Sequence, residues 1–496
     1  MILLFVFDKN FLVLNIIKVK SRDGGFLYVD GYRVRVFEKI SLPPLERRLK
    51  AIREAGWNTF LLKSEDVFLD MLTDSGVNAM SDKQLASMIS AQDSYAGSKT
   101  FYEFVDAVKE VLGFEYVLPV HQGRAAEHIL SKVFISPGSF VVTNYHFTTT
   151  RAHIELAGGE MIEIPTPEAK DPLSRHLFKG NIDLGLLEDL LKKYGREKIA
   201  FVRIEAVANL LGGQPVSMEN IRETKKICEK YNVPLVLDGS MIDWNIYFIK
   251  EREHGYGSWP LNKLLKEFVS YADIFYMSAR KAPSIRGGFI ATNNREYYEK
   301  MMIHVPVYEG FLTYGGMSIK EIAALAIGLK EMIDEDLIGS ELKLIEHLVE
   351  ELHRNNIPVV LPPGGLGAHI DALRFLPHVS RDKYPAGSLA GALYLVSGVR
   401  AMERGALSSD RTKDGREIYP DLELVRIAFP RRTYLRSHVD YIIDRVLWLY
   451  ENRDVIKGLK WIYEPPILRF FLGRLEDINR WGDDLAKRYE RDLGEL

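Results

Sequence analysis

Three short apolar runs, each rich in β-formers, end in residues that can do chemistry together. Lys281 follows residues 274–277 in YMSARKAPSIRGGF, and Asp238 ends residues 235–237 in VPLVLDGS. His121-Gln122-Gly123-Arg124 follows residues 116–120 and opens a helical pattern. A lysine amine can hold an aldehyde as a Schiff base, and a carboxylate stabilises a protonated ring nitrogen. The first-turn amides of a helix hold a phosphate on the positive end of the helix dipole. Ser278 adds a hydroxyl beside them. Taken one at a time these residues are ordinary, since a lysine after a strand is usually solvated and an aspartate there usually caps a helix. Their order and their placement at strand ends match what pyridoxal phosphate requires of a protein.

The elements that must position them come as an alternation. β-rich runs at 116–120, 139–143, 161–164, 199–204, 235–237, 274–277 and 288–292 are separated by helical patterns such as 184–194 and 218–231. This rhythm predicts a mostly parallel sheet of seven strands with helices on both faces, its ligand site lying beyond the carboxyl ends of the strands. After Met317 long helical patterns dominate (319–335, 341–355, 388–397, 439–450), with a strand at 424–429, which predicts a smaller α+β domain. The LPPGGLG segment at 361–367 reads as a turn within that domain. The expected divisions are an N-terminal arm over 1–40, an N-terminal part of the small domain over 41–80, a large cofactor-binding domain over 81–330 and a C-terminal small domain over 331–496.

With 496 residues, 47% hydrophobic and 27% charged, the chain is long enough for more than one packed core. A formal charge of −3 gives no basic field for nucleic acid or an anionic membrane. The single cysteine, Cys228, can form neither an internal disulfide nor a thiolate metal cage, and fits a reducing cytoplasm. Charges at Asp8 and Lys9 split the apolar start, which reads as a strand or hairpin of an arm that favours subunit contacts, not as a signal peptide or membrane span.

Ten ordered blocks resemble the aromatic amino-acid β-eliminating lyases, the family of tyrosine phenol-lyase and tryptophanase, over residues 42–474. They are LTDSGVNAMSD, DSYAGS, HQGRAAE, FTTTR, NLLGGQPVSMEN, YFIKE, YEGFLTYGG, GVRAMERG, VRIAFPRR and GLKWIYEPPILRFF. The resemblance implies a pyridoxal-phosphate enzyme of the aspartate-aminotransferase fold (fold type I) and a homo-oligomer built as a dimer of dimers. It implies that Lys281 carries the cofactor, Asp238 holds its ring nitrogen protonated, Phe147 stacks on the ring and Asn209 bonds its phenolic oxygen. Gln122, Gly123, Arg124 and Ser278 would hold the phosphate. Arg426 would bind the substrate α-carboxylate, a task suited to a planar fork of donors. Tyr95 would protonate the leaving ring, and Tyr314 would reach a neighbouring subunit's site.

The implied substrate is an aromatic L-amino acid. Arg404 and Thr148 match positions that tyrosine phenol-lyases use for the phenol oxygen, where tryptophanases carry an apolar residue in place of the arginine. Phe470, in Phe470-Phe471, also follows the phenol-lyase pattern. L-tyrosine is therefore the favoured substrate, with tryptophan the alternative; an aminotransferase and an inactive cofactor-binding protein remain open. Four positions depart from the family pattern. Met241 replaces an arginine three residues after the aspartate, and Arg280-Lys281 replaces a pair of lysines. Asp93 replaces a glutamate of the family's site for K+ or another monovalent cation. The loop near Ile285 and Arg286, which with Gly76 supplies that site's backbone oxygens, is one residue shorter.

Overall fold

The computed structural model describes residues 17–20, 26–29, 33–34, 36–412 and 414–494. The start of the expected arm, 1–16, lies outside the described residues; Ile17–Lys20 and Phe26–Val29 pair as two antiparallel strands.

The main sheet has seven strands: β1 (Tyr116–Val120), β2 (Phe140–Thr143), β3 (Glu160–Glu163), β4 (Ile199–Glu205), β5 (Leu235–Asp238), β6 (Ile274–Ser278) and β7 (Gly288–Thr292). Their spatial order is β1-β7-β6-β5-β4-β2-β3. Only β7 runs antiparallel to its neighbours. The mostly parallel seven-stranded sheet expected from the alternation is therefore present. β4 and β5 are buried along their whole length, as strands covered by helices on both faces must be. Helix Gly123–Phe134 turns Ala125, Ala126, Ile129 and Leu130 onto one face of the sheet. On the other face lie helices such as Ile242–Arg252 and Leu261–Ser270.

A second layer is built on three antiparallel strands, β8 (Gly367–Asp371), β9 (Met402–Arg404) and β10 (Leu424–Ala428), in the order β8-β10-β9. The early segment Leu69–Asp70 pairs in parallel with Val399–Arg400, tying residues before the main sheet to this layer.

Some helix limits differ from the sequence reading. The pattern at 319–335 stops at Glu331 and the next helix begins at Glu335, well before 341, because the Asp334 carboxylate caps it by accepting from the Asp336 and Leu337 amides. The helix expected at 388 begins at Pro385, whose fixed φ suits a first helical position. The LPPGGLG turn leads into β8 as expected, and Val359 bridges back to Ile370. It also meets the loop after β4 main chain to main chain, and the Gln214 side chain spans the two by donating to the Pro362 carbonyl at 2.9 Å. The Gly365 amide donates to the Gly213 carbonyl at 2.8 Å, and a Cβ at Gly213 would lie 2.1 Å from the Gly365 oxygen.

Candidate active site

The carboxyl ends of β4, β5 and β6 form the floor of the site. Their register sets Glu205 opposite Asp238 and Asp238 opposite Tyr276, with Arg203 two residues back on the same face as Glu205. Both oxygens of Asp238 are engaged. One accepts from the Arg203 guanidinium at 2.7 Å and the Tyr276 hydroxyl at 2.9 Å, the other from the Ser240 hydroxyl at 2.7 Å and amide at 3.1 Å. All four side chains are buried. Helix Gly123–Phe134 adds Glu127, which burial pushes up although the hydroxyls of Thr149 and Thr150 donate to it.

Lys281 stands in the turn just after β6. Its Nζ pairs with the fully buried Asp74 at 2.9 and 3.2 Å. Burial alone would raise the Asp74 carboxyl, but Lys281, Arg426 and Arg431 outweigh it and hold it below the usual carboxylate range. Beside this turn, Gly123 opens its helix hard against β6, where a Cβ would come within 2.9 Å of the Ser278 Cβ. Only glycine lets these two meet. Arg280 anchors to the Ser75 carbonyl at 3.1 Å, and burial with the nearby cations Arg286 and Arg124 pushes its pKa down. Arg280, with Arg286 and Arg124 close enough to lower its pKa, makes a cationic setting by this helix start that favours a multiply charged anion.

The second layer supplies the roof. Arg426 on β10 donates to Asn209 Oδ1 at 2.7 Å and to the Leu72 carbonyl at 2.9 Å. Arg404 on β9 reaches Thr148 Oγ1 at 3.4 Å and lies 5.9 Å from the ring centres of Phe147 and Phe470. Both guanidiniums are buried, and the Nε of each is without a hydrogen-bond partner. Burial pushes Arg404 down to about 10; burial and the Arg404 charge push Arg426 down to about 9. Two desolvated cations, each with a spare donor, call for anionic groups between them.

Most of the site residues expected from the sequence thus gather in one place. Tyr95 and Tyr314 pair with each other, Tyr314 on a loop whose Gly315 and Gly316 pack against Pro119 and His121. Tyr95 is 74% exposed, stacks on Phe311 at 5.7 Å and meets Tyr314 edge-on at 5.6 Å. Among the described residues, no contact joins Tyr95 to Lys281, or Gly76 to Asp93, which lies on an exposed segment. Met241 is buried at the start of helix Ile242–Arg252 and brings no charge. The sequence reading overlooked Asp74, Arg203, Glu205, Tyr276 and Glu127. For Arg203 and Glu205 a signal was available, because opposite charges two apart in an otherwise apolar strand must share one buried face.

The profile of the β-eliminating lyases matches residues 70–445, from the segment that carries Asp74 to the helix after Arg426 and Arg431. The chain belongs to the β-eliminating lyase family. Its relatives in this lyase family include the tyrosine phenol-lyase of Symbiobacterium thermophilum, 44% identical over 454 residues, which span 91% of this chain and 99% of that one. The tyrosine phenol-lyase of Pasteurella multocida is 42% identical over 90% of this chain and 98% of its own. A probable tryptophanase of Aeropyrum pernix is also 42% identical, over 91% of this chain and 97% of its own. Among solved structures, a serine palmitoyltransferase of Sphingomonas wittichii aligns with a TM-score of 0.52 at 15% identity, covering 77% of this chain and 86% of that one. That likeness gives the fold, the expected type I arrangement.

The residues of this lyase fit pyridoxal phosphate. Helix amides and the Arg124, Arg280 and Arg286 cluster suit its phosphate, and the Asp238 carboxylate suits its ring nitrogen. The buried Glu205 Oε2 without a hydrogen-bond partner marks a floor with room for one more positive charge.

Proposed function

We propose that the protein catalyses the pyridoxal-phosphate-dependent β-elimination of an aromatic L-amino acid, converting L-tyrosine and water to phenol, pyruvate and ammonia. When bound, the cofactor supplies an electron sink for the carbanion left by removal of the α-proton. Lys281 holds the cofactor and, once displaced by substrate, its Nζ takes the α-proton. Asp238 keeps the ring nitrogen protonated, Asn209 orients the cofactor's phenolic oxygen and Phe147 covers the ring. Gln122, Gly123, Arg124 and Ser278 hold the phosphate. Arg426 binds the substrate carboxylate. Arg404 and Thr148 meet the phenol oxygen, with Phe470 closing the pocket over the leaving ring.

The observation that carries this reading is Arg404: a buried guanidinium with a spare donor, beside a hydroxyl and between two aromatic rings. A phenol oxygen that ionises as it leaves meets both needs of that site, whereas an indole has no such oxygen. A carbon–carbon bond to the ring breaks only after the ring carbon gains a proton. Tyr95 is the proposed acid, delivered with Tyr314 at a contact between subunits, which agrees with the exposure of the Tyr95 ring. Gly76 and Asp93 are proposed to take part in binding a monovalent cation. The domain divisions at about residues 40, 80 and 330 and a homo-oligomeric assembly in the cytoplasm belong to the same proposal; among the described residues no helix is long and apolar enough to cross a membrane. The test is to supply purified protein and cofactor with tyrosine, tryptophan and S-methylcysteine in turn and to identify the products. Phenol and pyruvate from tyrosine are expected; indole in preference would move the protein to the tryptophanase reading.

A further inference from the structure

The floor holds more buried charge than one partner for a ring nitrogen requires. Glu205 is buried, its Oε2 accepts no hydrogen bond and lies 3.5 Å from the Arg203 guanidinium, and its Oε1 takes only a long bond from the Asn209 amide at 3.4 Å. Arg203 is committed elsewhere. It donates to Asp238, to the Tyr276 hydroxyl at 2.9 Å and to the Tyr145 carbonyl at 3.3 Å. The charged and titratable groups facing Glu205 are Arg203 on its own strand, Asp238 on β5 and Lys281 after β6, with Arg404 and Arg426 from the second layer. Glu127 and Tyr276 face Arg203 and Asp238 from the helix and from β6. Burial pushes Glu205 up to about 8, the Asp238 charge adds to it, and Arg203 and Lys281 oppose it.

We propose that Arg203 and Glu205 are positioning residues of the ring-nitrogen site: Arg203 fixes Asp238 as an ionised acceptor, and Glu205 gives up a proton as a protonated ring nitrogen settles against Asp238. This rests on the pyridoxal phosphate reading above. The charges balance on both sides of the step. Before loading, the floor holds one cation, Arg203, one anion, Asp238, and a neutral Glu205. After loading, the ring N–H⁺ has arrived, the Glu205 proton has left for solvent, and two cations face two carboxylates. A buried site keeps net neutrality because an uncompensated charge there is costly.

The experiment is calorimetric titration of the cofactor-free full-length protein at pH 7 in two buffers of different ionisation heat. The ligands are pyridoxal phosphate and an analogue with carbon in place of the ring nitrogen. Wild type is expected to release about one proton more per site than Glu205→Gln on binding pyridoxal phosphate, and no more on binding the analogue. Glu205→Gln should weaken pyridoxal phosphate about tenfold, the worth of one pKa unit, and leave the analogue nearly unchanged. Glu205→Asp should keep the extra proton. Equal proton counts for wild type and Glu205→Gln, or equal losses on both ligands, would overturn the proposal. Should Glu205→Gln not fold, the wild-type affinities across pH 6 to 9 decide, because the ratio between the two ligands must then change with pH. Turnover is not read, so a wrong substrate leaves this test intact, and absence of binding by either ligand would reject the cofactor reading itself.

Discussion

The floor and the roof of the site are buried to the same degree but finished differently. Asp238 has both carboxylate oxygens hydrogen-bonded within the protein, whereas Arg404 and Arg426 each keep a buried donor with no acceptor. Burying an unpaired donor costs free energy, so it persists where a ligand is to complete it. The Asp238 part of the floor is therefore complete within the protein, whereas the roof guanidiniums, and Glu205 Oε2 beside Asp238, still lack a partner. On the proposed function, selectivity among amino acids is assigned to the roof and the chemistry common to all of them to the floor.

That contrast can be broken by mutation. Lys281→Ala removes the group proposed as both cofactor anchor and α-proton base, so turnover on every substrate should fall by about three orders of magnitude. The visible absorption of the cofactor–lysine linkage should vanish with it; borohydride labelling of another lysine would displace Lys281 from the role. Asp238→Asn should slow α-proton exchange for all substrates alike by roughly ten- to a hundredfold, since each pKa unit lost is about tenfold. A loss confined to tyrosine would contradict a shared floor.

Arg404→Ile tests the roof. A charged hydrogen bond is worth roughly 1.5 to 3 kcal/mol, so turnover of tyrosine should fall about ten- to a hundredfold. S-methylcysteine, whose leaving group needs neither ring protonation nor phenol ionisation, should be nearly unaffected. Equal losses would mean that Arg404 supports the fold alone.

The smallest effect sharpens the floor without any substrate. In the cofactor-free protein burial pushes Glu205 up to about 8 from its ordinary 4.5, so between those values the folded state holds a proton that the unfolded state has released. Stability from this group is full below about pH 4.5 and is lost as the pH rises toward 8, by at most about 1.4 kcal/mol per pH unit. Glu205→Gln should flatten that slope, as read by urea unfolding at pH 6 and pH 8.

Much of this was legible in the sequence because strand ends and helix starts are marked locally. Asp238, Lys281 and the Gln122-Gly123-Arg124 turn each follow an apolar run, and the sheet brings them to one edge. Arg404 and Arg426 became interpretable only through likeness to a family, because nothing local shows that β9 and β10 fold back over that edge. Asp74 illustrates what was hidden: it pairs with a residue 207 positions away, a partnership fixed by packing alone. Tyr95 remains an expectation of the resemblance, since its exposed ring packs on the half-buried Phe311 and Tyr314 and a single chain gives it no reacting atom to touch.

The glycine seam between the LPPGGLG turn and the loop after β4 has a mechanical consequence. Two main chains in direct hydrogen-bonded contact, with a Cβ excluded at Gly213 and a Cβ at Gly364 only 2.4 Å from the Gly213 oxygen, make a close joint that the Gln214 side chain also spans. Gly213 lies four residues from Asn209, which itself accepts from Arg426. A tilt of the second layer would therefore act on Asn209 and Arg426 together, the two residues proposed to meet the cofactor and the substrate carboxylate.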